Sequence, residues 1–106
     1  MAAAGERLEK LLGLLEKQSA DPFLLYGVAM EYKKAGNPDK ALEYFQRTLQ
    51  ADAGYSYAYY QQGQVYEGTG DIEAARQAYR DGIVAAQSKG DEHARSELEG
   101  ALEMLG

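Results

Sequence analysis

A chain of 106 residues with 45% hydrophobic and 26% charged side chains has the length and composition of one folded domain, which excludes an intrinsically disordered polymer and leaves little room for a second domain. The net charge of -6 and the single Lys-Lys pair, Lys33-Lys34, leave no basic face for a phosphate backbone and exclude nucleic acid from the expected partners. The absence of cysteine excludes disulfides, thiolate metal ligands and a cysteine nucleophile, and since redox chemistry is silent on compartment, the cytoplasm is the default.

In chain order, residues 1–5 read as an irregular start. Leu8, Leu11, Leu12 and Leu15 then form an apolar stripe among Glu6, Arg7, Glu9, Lys10 and Glu16, which predicts an amphipathic helix over residues 6–18. Its longest apolar run, residues 11–15, is bounded by Lys10 and Glu16 and is too short for a membrane span or a signal-peptide core, so neither membrane nor targeting is expected. Asp21-Pro22 is an N-cap followed by proline at the first helical position, and Gly36 is a left-handed stop, which together place a helix over residues 22–35. Asn37-Pro38 repeats the cap at once, so the next helix, 38–51, has to fold back on its predecessor. Ser56 is the expected cap of a helix to Thr69, Gly70 the turn, and Asp71 the cap of a helix to Lys89. Gly90 ends that helix and Asp91 caps a last one over 91–105, with Ala94, Leu98, Ala101, Leu102 and Leu105 along one side.

Sliding the chain by 34 residues superimposes Tyr26 on Tyr60, Tyr32 on Tyr66, Gly36 on Gly70, Ala41 on Ala75 and Ala51 on Ala85. Neighbouring pairs agree in kind: Phe23 with Tyr57, Ala29 with Gly63, Phe45 with Tyr79, Leu49 with Ile83. The pattern predicts two helical hairpins, 22–55 and 56–89, in which Ala29, Gly63, Ala41 and Ala75 let helices approach and the aromatic rings fill the remaining space. Continuing the same offset into the last helix would turn its apolar stripe away from the core, so the connection through Lys89-Gly90-Asp91 is expected to be one residue longer.

A small residue, a tyrosine three later, a glycine turn, an alanine and an aromatic four beyond it occur as Ala29, Tyr32, Gly36, Ala41 and Phe45, and again as Gly63, Tyr66, Gly70, Ala75 and Tyr79. This set, found twice at the period of 34, resembles the tetratricopeptide repeat, as a small two-repeat protein of bacterial type. The resemblance covers residues 21–89 and implies an all-α, tetratricopeptide-type α-α superhelix, with the first and last helices as caps. Leu25 and Tyr59 stand where the family often has tryptophan, Ala53 and Gln87 where it often has proline, and Gly82 where a small alanine is usual.

The resemblance also implies that the first helix of each hairpin lines a concave face. Carried onto this chain, the partner-binding set is Phe23, Tyr26, Met30 and Lys33 from the first hairpin with Tyr57, Tyr60, Gln64 and Glu67 from the second. Four of these are aromatic and one is methionine, more apolar surface than a solvated helix face requires, and tyrosine combines large burial with few rotatable bonds and a polar tip. The competing reading has Tyr26, Tyr57 and Tyr60 packing on the terminal helices. Where the family's chaperone-tail binders place a lysine and asparagine carboxylate clamp, this chain has Tyr26, Met30 and Gln64, which points to an apolar or helical ligand segment instead of an acidic C-terminus.

Catalysis lacks parts. His93 is the only histidine, and Gly68-Thr69-Gly70 lacks the later glycine of a dinucleotide loop. His93 and Glu97 lie one turn apart as a surface ion pair, two ligands short of a metal site. The sequence therefore describes a non-catalytic module without a cofactor that holds a protein or peptide, as a monomer or weak homo-oligomer. The alternative is a structural subunit that self-associates through the same tyrosines.

Overall fold

A computed structural model describes residues 2–106, with side chains from residue 5 onward. Among the described residues there are six α-helices and no strand. They group into two units, Met1–Asp52 and Ala53–Gly106, each with its own packing.

The first unit holds α1 (Ala2–Lys17), α2 (Pro22–Lys34) and α3 (Pro38–Ala51). The irregular start expected over residues 1–5 is helical from Ala2, in keeping with the helix propensity of alanine, while Met1 lies outside the described residues. The Asp21 carboxylate accepts the N–H groups of Phe23 at 2.9 Å and Leu24 at 3.3 Å, which starts α2. Gly36, at φ +76°, reverses the chain, and the Asn37 N–H closes the turn on the Tyr32 carbonyl at 3.0 Å. Asn37 Oδ1 in turn accepts from the Lys40 N–H at 3.2 Å, so one residue both ends α2 and caps α3. Leu15 of α1 is buried with Leu24, Leu25 and Val28 of α2, and Leu8, Leu11, Leu12, Tyr32 and Tyr44 pack around them. Ala29, Ala41 and Phe45 are fully buried, as the close-approach reading requires. Thr48 is also fully buried, and its hydroxyl donates to the Tyr44 carbonyl at 2.8 Å, one turn back.

The second unit holds α4 (Ser56–Thr69), α5 (Ile72–Lys89) and α6 (Glu92–Met104). The expected cap at Ser56 is corrected here. The N-cap is Tyr55, without a side-chain bond, and Ser56 is the first helical residue, its hydroxyl donating to the Gly54 carbonyl at 3.3 Å. Asp71 and Asp91 cap α5 and α6 as expected, accepting from the N–H groups of Ala74 at 3.2 Å and Ala94 at 3.0 Å. Ala75, Tyr79, Ala86, Ala94 and Leu98 form the core, with Tyr57, Tyr59, Tyr60 and Tyr66 packed against it.

Two glycines set the spacing of this unit. A Cβ on Gly63 would lie 2.2 Å from the Tyr79 ring, so the bare backbone of α4 is the seat of that ring. A Cβ on Gly82 would lie 2.7 Å from Tyr59 Cβ and 2.8 Å from Leu98 Cδ2. The propensity that α5 loses at Gly82 is thus offset by the approach of α4 on one side and α6 on the other. Ala94 and Leu98 of α6 are buried in this core, but the expected one-residue lengthening at Lys89-Gly90-Asp91 is corrected: α6 begins 36 residues after α4, and the added length lies in α5, 18 residues against 14 in α3, while only Gly90 and Asp91 join α5 to α6.

Candidate functional site

In the first unit the four expected contact residues lie on α2. Phe23 is 71% exposed at the first turn, where Pro22 and the Asp21 cap fix the backbone beneath it. Tyr26 is half-buried, edge-on to Phe45 with ring centroids 5.7 Å apart, and Met30 follows one turn later, also half-buried. Together with Leu11 of α1, these three border a cavity of about 330 Å³ between α1 and α2. Lys33 is half-buried outside this cavity, and burial lowers the pKa of its ammonium.

The cavity also contains charge, which sequence reasoning missed. Glu31 is only 4% exposed, and its Oε2 meets the Arg7 guanidinium of α1 at 3.1 Å and the Lys34 ammonium at 3.6 Å. Its other oxygen, Oε1, is buried with no hydrogen-bond partner among the described residues. Arg7, Glu31 and Lys34 all line the same cavity. One signal was present in the sequence: the residue 34 positions after Glu31 is Val65, which is buried in the second unit. The fold accepts an apolar residue at this position of the repeat, so the carboxylate at 31 is not demanded by packing.

In the second unit the four expected residues of α4 are tied to their neighbours. Tyr57 donates its hydroxyl to Glu97 Oε1 on α6 at 2.8 Å and packs edge-on to Tyr60 at 6.5 Å. Tyr60 lies 6.1 Å from the Tyr79 ring of α5. Gln64 Nε2 donates to the Tyr79 hydroxyl at 2.9 Å, and that hydroxyl donates to Glu67 Oε2. Burial, and then the bond to Glu67, push the Tyr79 phenol far above the ordinary tyrosine range. Packing on the last helix, the competing expectation for Tyr57, is what this unit displays.

The pair His93–Glu97 stands at 3.6 Å with both side chains exposed. Among the described residues no group of three or more metal-ligating side chains gathers. No helix among them is long and apolar enough to cross a membrane.

A family model described as tetratricopeptide repeat matches residues 32–98. A TPR repeat-containing protein of Pseudomonas aeruginosa is 33% identical over 93 residues, which cover 88% of this chain and 86% of that protein. The solution structure of a protein from Bordetella parapertussis is 33% identical and superimposes with a TM-score of 0.80 over 92% of this chain and 85% of its own. The crystal structure of PcrH in complex with the chaperone binding region of PopD shares the fold at a TM-score of 0.90, covering 98% of this chain and 79% of that one at 13% identity. Two hairpins closed by Gly36 and Gly70, the buried small residues Ala29, Gly63, Ala41 and Ala75, and the match across most of both units identify the chain as a member of the tetratricopeptide repeat family.

Proposed function

We propose that this chain is a protein-interaction module that holds polypeptide on the outward face of the first helix of a repeat, without catalysing a reaction. Family membership supports the general role, since tetratricopeptide repeats are generally non-catalytic surfaces for other proteins. The proposed contacts are Phe23, Tyr26, Met30 and Lys33 on α2, with Tyr57, Tyr60, Gln64 and Glu67 on α4.

The observation that carries this reading is the face of α2. Phe23 is 71% exposed beside a cavity that Leu11, Tyr26 and Met30 line together with Arg7, Glu31 and Lys34, so apolar and charged groups are offered side by side. A ring held on a capped first turn loses little further freedom on binding, which favours a contact role. The α4 residues contribute differently, because their hydrogen bonds to Tyr79 and Glu97 hold them in place before a ligand arrives.

Affinity capture from the source organism with the parent chain and with Phe23→Ala/Met30→Ala tests the reading. Partners retained by the parent and lost by the variant are the expected result, with both proteins helical by circular dichroism. An identical set of partners removes α2 from the proposal. Sedimentation over a concentration series separates the structural-subunit alternative: a module for other proteins stays monomeric, whereas a self-associating subunit shifts to dimer as concentration rises.

A further inference from the structure

Among the polar groups lining the α1–α2 cavity, Glu31 is the one whose chemistry the fold leaves incomplete. A carboxylate can accept about four hydrogen bonds, and leaving an oxygen of a buried one unmet is costly. Here Oε2 is paired with Arg7 and Lys34, while Oε1 has no partner among the described residues. The second repeat fills the corresponding position with Val65, so a sequence that needed only a packed interface had an apolar solution available. Arg7 and Lys34 are largely exposed, so an apolar residue at 31 would leave no buried charge behind, and the ion pairs give glutamate no evident advantage in stability there.

We infer that the cavity between α1 and α2 is a specificity subsite for a polypeptide that seats one large apolar side chain against Leu11, Phe23 and Met30 and donates an adjacent neutral N–H to Glu31 Oε1. This deepens the proposed function and rests on it. Charge decides the kind of donor. Two cations, Arg7 and Lys34, already flank the one carboxylate, so a ligand ammonium would meet a net positive site, whereas a backbone amide or an indole N–H meets an acceptor with no charge to oppose. Size decides the anchor. A cavity of about 330 Å³ is at the small end of ligand sites and suits one aromatic or branched aliphatic side chain. Arg7 reaches Glu31 from the neighbouring helix and acts as a positioning residue, while Oε1 is covered in the free chain, so seating the ligand has to open a path to it.

A library of dodecapeptides, acetylated at the N-terminus and amidated at the C-terminus, supplies the probe, selected against the full chain. The inference expects selected peptides to share one aromatic or branched aliphatic residue. N-methylation of the amide beside that residue should weaken binding to the parent by about tenfold, the scale of a hydrogen bond to a charged acceptor. Glu31→Val should bind the unmethylated peptide about tenfold more weakly than the parent and be indifferent to methylation. Phe23→Ala, at an exposed position that leaves the fold intact, should remove the preference for the anchor. Thermal melts of Glu31→Val at or above the parent midpoint establish that the loss is not one of folding. Peptides bound equally by parent and Glu31→Val, or a selected lysine at the donor position, overturn the subsite while leaving polypeptide binding in place. Failure of the parent to select any peptide overturns both.

Discussion

Gly82 shows how far a single residue can mislead when read alone. Helix propensity favours alanine there by up to about 1 kcal/mol, so a purely local reading expects Gly82→Ala to stabilise. The added Cβ would stand 2.7 Å from Tyr59 Cβ and 2.8 Å from Leu98 Cδ2, and overpacking of that kind costs about 1–3 kcal/mol, so the sign reverses. Denaturant titration is expected to show Gly82→Ala destabilised, and Gly63→Ala more so because its Cβ would fall 2.2 Å from the Tyr79 ring. Tyr79 supplies a second expectation at this scale. Its phenol is raised well above the ordinary value near 10, so the folded state keeps a proton that the unfolded chain releases. The contribution to stability is therefore complete below about pH 10 and is lost as pH rises beyond it. In an absorbance titration part of the signal of the nine tyrosines should appear late, since burial raises Tyr59 as well as Tyr79, and Tyr79→Phe should shrink that late fraction. Residues whose role is set by their own chemistry, such as Asp21, Asn37 and Asp71, were legible in the sequence. Glu31 was not, because its partner Arg7 comes from α1, and no local pattern on α2 reports a neighbour that packs from another helix.

At the scale of the element, the boundaries followed from cap chemistry wherever a side chain performs the capping. The Asp21-Pro22, Asn37-Pro38, Asp71 and Asp91 starts are all in place. The start of α4 was misassigned by one residue because Tyr55 caps with its backbone alone, and a hydroxyl at Ser56 resembles a cap while bonding the preceding turn. Asp71→Ala should cost about 1 kcal/mol by loss of the bond to the Ala74 N–H, measured by thermal melting. The α2–α3 and α4–α5 hairpins depend on Ala41 and Ala75, both fully buried. Ala41→Leu and Ala75→Leu should each lose about 1–3 kcal/mol, and melts with unchanged midpoints would contradict the packing described for these hairpins. The face of α4 illustrates the limit of periodicity: it separates Tyr57, Tyr60 and Gln64 from the buried stripe, but whether they meet solvent or another helix depends on where α6 lies.

For the whole molecule, repetition was the most legible feature. Five matched features recurring at 34 residues established the architecture, because small and aromatic residues at fixed spacing are what close helical packing requires. The same logic leaves the partner unread, since a repeat spends its constrained positions on packing and leaves the binding face free to vary. Within that face the structure separates residues that the sequence had grouped together. Phe23 stands open on α2, whereas Tyr57, Tyr60, Gln64 and Glu67 are engaged by α5 and α6. The central claim, that the α2 face is where another polypeptide docks, is tested most directly by photo-crosslinking from two exposed apolar positions. A benzophenone side chain replaces Phe23, 71% exposed, in one sample and Val84 on α5, 62% exposed, in the other. Irradiation in lysate of the source organism is expected to capture discrete polypeptides from position 23 and only diffuse background from position 84. Equal capture at both positions, or none at 23, would contradict the account.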